Sequence, residues 1–547
     1  MNRLGSRNFS LSSPSLPPGV SDTPGFPFYA IPQKERCEVS CHSERSEEPR
    51  PGPFASLRVT AFLMRYYLSM HLMPRRNVLT RSPVVAAALA LALGGIVGGA
   101  TAFGPLYALA GLFALSISLA LLTSTELGLL SVFALSILLP FGTLPFKAVI
   151  TPNFLTLALV ALTGVWGLRL LARPDAYELR GSALTLPILG FLGLTLFALI
   201  LGAGGLPDAT TLHNYTKFVL GVLLYFSVVN CVRTHAQARL VLRGLILSGS
   251  LAALAGLILW ALNDQLALSL LVNLGRIGYP TMGRVLRYVE DDPSGLERAI
   301  GLAVDPNSFG GMLALVVALA AAQLVARRPC WPRWLLGGSV AVMTLALLLT
   351  FSRAALFGLV IAAAYLATVR YRRLWWVMLG AGVVGALLLV GFGFAGSFVT
   401  RVVSGVQFAD QAQQMRLAEF QNALAIIQRY PAFGIGFGAA PDLDLTAGVS
   451  SIYLAIGQRV GLSGLTAFLG IVAAWFVETL HALKTLDEER ASWVLGCQAG
   501  IVAALAVGLA DHYFFNIEFS HMVALFWGTL GLGVAMRGLG HGADGRL

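Results

Sequence analysis

The chain reads as an all-α protein that crosses a membrane many times, on three observations. Apolar residues make up 56% of it and charged residues 12%. From Pro83 to Met536 it is a nearly unbroken series of apolar runs, many reaching the roughly 20 residues needed to cross a bilayer as helix. Its Lys and Arg residues gather in alternate connections instead of spreading evenly. Frequent glycine fits close helix packing where no hydrophobic drive acts between helices.

Taken in order, the runs predict about fourteen spans, with twelve as the lower bound. They lie near 83–102, 103–123, 127–141, 152–172, 183–204, 214–232, 239–262, 305–326, 334–351, 354–371, 374–396, 464–483, 493–512 and 519–537. The first two are almost continuous and the third is short. Two long polar stretches interrupt the series, at about 263–304 and 397–462. Arginine-rich connections at Arg169/Arg173/Arg180, Arg233/Arg239/Arg243, Arg327/Arg328/Arg333 and Arg370/Arg372/Arg373 fall on one side, while Lys147, Lys217 and Arg353 stand on the other. By the positive-inside rule both termini are cytoplasmic and both long loops face outward. The net charge of +11 therefore has its explanation in topology and in contact with anionic membrane lipids, not in nucleic acid. Cys231, Cys330 and Cys497 fall in or beside the inner half of the membrane, and Cys37 and Cys41 precede the spans, so no external disulfide is expected.

Ionisable groups are nearly absent from span centres; Glu478 and Asp511 are the main exceptions, both toward span ends. With no visible internal repeat either, little points to a coupled transporter. The second long loop is different. Its segment Gln414 to Pro431 places Leu417, Phe420, Leu424 and Ile427 at helical spacing, and Pro431 stops the helix. Gly434, Gly436 and Gly438 follow, a run that permits tight turns and, through successive N–H groups, an anion nest. Ser450 to Gly464 predicts a short helix leading into the next span, with Arg459 and Tyr453 near the membrane.

Four stretches, in this order, resemble the O-antigen ligase and O-antigen polymerase superfamily of envelope glycan transferases. They are LAVDPNSFGGMLAL (302–315), LLTFSRAALFGL (348–359), RLAEFQNALAIIQRYPAFGIGFG (416–438) and SSIYLAIGQRVGLSG (450–464). The resemblance covers roughly Gly301 to Gly533. Together with the Ser-, Pro- and charge-rich composition of the first seventy residues, which reads as disordered, it gives a disordered extension over 1–72, an N-terminal transmembrane region over 73–300, a core over 301–537 and a cytoplasmic tail over 538–547. It implies a bacterial cytoplasmic-membrane enzyme that takes a polyprenyl-diphosphate-linked oligosaccharide donor on the outer face and passes the glycan to a glycan acceptor. It needs no cofactor and no metal, and it leaves room for a chain-length regulator as partner. The ligases of that superfamily carry His-Asn or similar where this chain has Ser450 and Ser451. Serine cannot accept a proton near neutral pH as imidazole does, which favours polymerase over ligase. A lipid-linked glycan flippase or other multipass transporter is the alternative from another class.

Arginine suits a diphosphate because its charge is permanent and its fork is bidentate. Arg353 and Arg416 are the leading catalytic candidates, with Arg459, Tyr453 and the glycines at 434, 436 and 438 as donor-binding residues. Arg429 reads as a solvated helix-end cation. Asp511 and His512, on the last outer connection, are candidates for the base that takes the acceptor proton; His213 is a poorer one. The acidic run Glu290, Asp291, Asp292 reads as a solvated face. The stretch Cys41 to Thr60 resembles a translated bacterial intergenic repeat, so translation is expected to start at Met64, Met70 or Met73.

Overall fold

A computed structural model describes residues 124–144, 153–172, 179–202, 207–279, 281, 285–289, 292–391, 411–438 and 448–540. The expected extension over 1–72, the first two expected spans, and Glu290 and Asp291 lie outside the described residues. The described chain is almost wholly helical: α1 Thr125–Leu138, α2 Phe154–Ala172, α3 Thr185–Leu201, α4 Ala209–Cys231, α5 His235–Ala261 and α6 Asp264–Asn273 come first. A small antiparallel hairpin follows, β1 Arg287–Tyr288 with β2 Glu297–Arg298. Then come α7 Pro306–Val325, α8 Arg333–Leu349, α9 Arg353–Val369, α10 Leu374–Gly391, α11 Gln411–Arg429, α12 Ile452–Ala482, α13 Glu488–Val507 and α14 Ser520–Arg537.

Six of these helices, α2, α4, α5, α7, α12 and α13, are long and apolar enough to cross a membrane, and five shorter ones are apolar as well. The 14 residues of α1 rise only about 21 Å at 1.5 Å each, less than the roughly 30 Å of a hydrocarbon core. Chain that extends the path beyond such a helix must be covered by protein, because lipid cannot satisfy open backbone groups. The membrane character expected from the sequence is thus present, while length and composition do not by themselves return fourteen spans.

The centre of the bundle is formed by α7, α13 and α14, nearly all of whose residues are buried. Helix α7 packs on α8, α9 and α13; α14 packs on α4 and α13; α3 packs on α12. Small residues let the backbones approach. A Cβ added at Gly500 would stand 3.1 Å from the Leu315 carbonyl oxygen, and one at Gly358 would stand 2.8 Å from that of Ala503. Buried polar side chains tie the same helices: Gln323 donates to the Ser492 carbonyl (3.0 Å), Gln498 to Thr479 (2.9 Å) and Trp475 to the Leu530 carbonyl (2.9 Å).

Following the helices up and down gives the bundle two unlike ends. At one lie the ion pairs Arg239–Glu489 (2.6 Å), Arg370–Glu488 (3.0 Å) and Arg537–Glu478 (3.0 Å). The other end collects the hairpin, the α8–α9 turn, α11 and the α13–α14 connection. Helix α12 takes in the expected short helix and the next span together, bent at Gly461, whose φ is 77°. Helix α11 corrects one expectation. Ala423 and Ile426 are fully buried, with Arg416 and Glu419 partly so, whereas Leu417 and Leu424 of the expected apolar face are exposed. Phe420 and Ile427 of that face are partly buried, so the inward face overlaps the expected one and is rotated from it toward the charged partners of Arg416 and Glu419.

A test of the close packing compares two glycines. Gly358→Ala should destabilise the protein by about 1–3 kcal/mol through overpacking. Gly380→Ala, with no neighbour within 4 Å, should be neutral or gain about 0.5–1 kcal/mol from helix propensity. Thermal unfolding of both variants in the same micelles reads the difference.

Candidate active site

The site grows from the start of α7. Asp305 caps that helix, its carboxylate accepting from the amides of Asn307 (2.9 Å) and Ser308 (2.8 Å), and Pro306 occupies the first turn, where its missing N–H is harmless. Just before it the Asp305 amide bonds back to the Ala303 carbonyl (2.7 Å), which throws Val304 to φ 66°. The α8–α9 turn does the same to Phe351, at φ 51°. Among the described residues these are the non-glycines with positive φ. Left-handed backbone costs such residues on the order of 1–3 kcal/mol, and strain of this kind clusters at functional sites.

Charged groups from four elements converge here. Arg298, at the end of β2, donates through Nε to the Thr350 carbonyl (2.8 Å) and through Nη2 to Asn307 Oδ1 (2.7 Å). Tyr513, in the α13–α14 connection, turns its hydroxyl to Asp305 and Asn307. Arg416 of α11 reaches Asp511 of the same connection at 3.7 Å. One helical turn beyond Arg416, Glu419 accepts from the Ser450 hydroxyl (2.7 Å) and amide (3.0 Å). Asp511 is almost wholly buried, and its Oδ2 has no hydrogen-bond partner; neither has His512 Nδ1.

Burial pushes the Asp511 carboxyl up to about 7, against the pull of Arg416, and Asp305 adds to the rise. His512 is lowered by burial, with Glu419 and Asp305 opposing. Tyr513 is raised by burial and by the adjacent Asp305. Arg298 is lowered by burial, opposed chiefly by Asp305. A carboxylic acid titrating near neutrality with one oxygen unengaged is equipped to accept a proton, and the half-buried Arg416 beside it can receive an anion.

The residues named from sequence divide into two groups. Arg416, Asp511 and His512 are brought together, with Asp511 held by Arg416 and His512 stacked on Tyr513 at 4.8 Å. Arg353 stands exposed at the start of α9, in the turn whose Thr350 carbonyl holds Arg298. Arg459, Tyr453 and the glycines instead hold backbone. Arg459 donates to the carbonyls of Gly438 (2.8 Å) and Gly436 (3.3 Å). The amides of Gly434, Ile435 and Gly436 bond to the carbonyls of Tyr430, Gln458 and Arg459, so they form a clasp on α12 and not an open anion nest. Tyr453 donates to the Leu505 carbonyl at 2.9 Å. His213 lies on α4 and Arg429 ends α11, exposed.

Sequence reading missed Arg298, Asp305, Glu419 and Tyr513. Asp305 had a visible signal, an acid directly before Pro-Asn at the head of an apolar run. Glu419, three residues after Arg416, had the spacing of a shared helix face. Arg298 and Tyr513 had none, since only the tertiary fold brings them in.

Residues 338–469 match the family model described as O-antigen ligase. That stretch holds Arg353, Arg416, Glu419 and Ser450 but leaves Arg298, Asp305, Asp511 and Tyr513 outside it. No curated protein matches the chain. The match supports a membrane glycan-processing role of the O-antigen ligase and polymerase type.

The clasp makes a prediction of its own. A hydrogen bond to a charged group is worth about 1.5–3 kcal/mol, so Arg459→Met should speed amide hydrogen exchange at Gly434, Ile435 and Gly436 by about tenfold or more. Unchanged exchange would mean the guanidinium does not hold the turn.

Proposed function

From the O-antigen ligase domain that this chain carries, we propose that it is a glycosyltransferase of the bacterial cytoplasmic membrane, with both termini cytoplasmic and the Arg416–Asp511 site at the outer face. It takes a glycan from a polyprenyl-diphosphate carrier and adds it to the end of an acceptor glycan, as a polysaccharide polymerase. Residues 301–537 form its core. The observation that carries the reading is the pairing of Arg416 with a buried, half-engaged Asp511.

The acceptor hydroxyl oxygen attacks the anomeric carbon of the donor sugar while the bond to the diphosphate oxygen breaks. Asp511 Oδ2 takes the hydroxyl proton, and Arg416, with Arg353 at the neighbouring turn, stabilises the departing diphosphate. Arg416 links the two events. An anion that shares its charge weakens its hold on Asp511, so donor binding makes the base stronger. His512, lowered by burial, serves as a neutral neighbour in this scheme. Arg459 and the glycine clasp hold α11 in place.

A ligase that delivers finished glycan to a lipid or protein is the second reading, favoured by the description of the matching family. Ser450 speaks against it, since its hydroxyl and amide are both committed to Glu419.

Transfer is measured in liposomes with a lipid-diphosphate-linked oligosaccharide, by product length. Wild type should give a ladder of lengthening glycan, and Arg416→Ala should abolish it without loss of folded protein. For the base the sign is fixed: Asp511 must be ionised to accept a proton. Hence kcat/KM should fall about tenfold per pH unit below an apparent pKa near 7 and level off above it. Asp511→Asn should lower the rate about 10²–10⁴-fold and remove the acid limb. A limb that survives in that variant would assign the proton elsewhere, and donor that merely changes leaflet would make this protein a carrier.

A further inference from the structure

The hairpin has two chemically opposite faces. Its register pairs Arg287 with Arg298 and Tyr288 with Glu297. Residues directly opposed in an antiparallel pair project to the same side, with Cβ atoms about 4.5–5.5 Å apart. One face therefore carries two guanidinium groups and the other a phenol and a carboxylate. On the second face the Tyr288 hydroxyl donates to Asp264 at 2.8 Å, and the ribbon itself is held by the Trp260 indole, which donates to the Glu297 backbone carbonyl at 3.0 Å.

On the first face, Arg298 is anchored by Thr350 and Asn307, and it lies close enough to Arg416 to feel its charge. Arg287 is partly buried, and its Nε is fully shielded yet has no hydrogen-bond partner. A shielded charged donor without a partner is costly. An oxyanion at the Arg287 Nε supplies the missing acceptor, and one within reach of both side chains is attracted by two permanent charges.

We infer that Arg287 and Arg298 form an oxyanion-binding subsite that seats an anionic group of the lipid-linked glycan beside Arg416. The inference rests on the glycosyl-transfer reading for the source of that anion. Two groups share the required chemistry, a phosphate of the donor and the carboxylate of an acidic sugar, and both suit a bidentate arginine. In either case the first long loop takes part in substrate binding through the hairpin, alongside α11.

The test is direct binding to the purified full-length protein in micelles. The probes are inorganic pyrophosphate, a uronic-acid-containing tetrasaccharide and its carboxyl-reduced counterpart. Arg287→Gln should weaken at least one anionic probe about tenfold or more, Arg287→Lys should recover part of the loss, and Tyr288→Phe on the opposite face should leave affinity unchanged. Loss confined to pyrophosphate identifies the donor phosphate; loss confined to the acidic tetrasaccharide, with the reduced form bound weakly by wild type, identifies the sugar carboxylate. If neither anion depends on Arg287, or if Arg287→Lys binds no better than Arg287→Gln in protein of normal thermal stability, the subsite is overturned. Glycan transfer by the wild type is scored separately, so a failed function reading and a failed subsite give different results.

Discussion

A carboxylate buried at the end of a membrane bundle is tolerable only if a cation stands by it, and this constraint organises the whole upper end of the protein. Asp511 sits in a connection between two central helices, and Arg416 comes to it from α11, far away in sequence. Burial already favours the neutral form of Asp511, so without Arg416 the carboxyl would take up a proton and would not stay buried as an unpaired charge. The pair is also loose, at 3.7 Å, and one carboxylate oxygen is unengaged. It is held firmly enough to shape α11 and weakly enough to be rearranged by a ligand.

The same end concentrates the backbone that is not helical. Within lipid each open N–H or C=O costs several kcal/mol, so irregular chain survives only under protein cover. The segments around Val304 and Phe351 are both bent into positive φ; Phe351 itself is exposed, while Thr350 and Ser352 on either side of it are buried. Asp305 does double service there, closing the α7 amides and facing Tyr513. Stability of the central helix and polarity of the site thus depend on one side chain.

Much of this was legible in the sequence. Apolar runs located most of the described helices to within a few residues. Helix α6 lies in a stretch expected to be polar loop, and α12 joins the expected short helix to the span at 464–483. Helices α4, α5 and α13 start early because the hydropathy window starts later than the capped helix does. Asp208, Thr234 and Asp487 each begin a helix several residues before the expected span. Arg416, Asp511 and His512 could be named because charge is rare in such a chain. The inward face of α11 is rotated from the apolar stripe, sharing Phe420 and Ile427 with it, because Arg416 and Glu419 are drawn to Asp511 and Ser450. Arg298 and Tyr513 depended on tertiary proximity, which no local pattern encodes. The charge of Arg459 and its place near the membrane point to a ligand in the sequence, whereas its use on backbone carbonyls is visible only in three dimensions.

The clasp between Pro431–Gly438 and Gln458–Ser463 has one more consequence. The carbonyls of Pro431 and Ala432 accept from Leu462 and Ser463, while the amides of Ile435 and Gly436 bond to Gln458 and Arg459. These bonds fasten the end of α11 to the bend of α12. A Cβ at Gly461 would stand 2.4 Å from the Ala432 carbonyl oxygen, so the bend in α12 and the turn that ends α11 fit only each other, and a side chain at that one position would part the two helices.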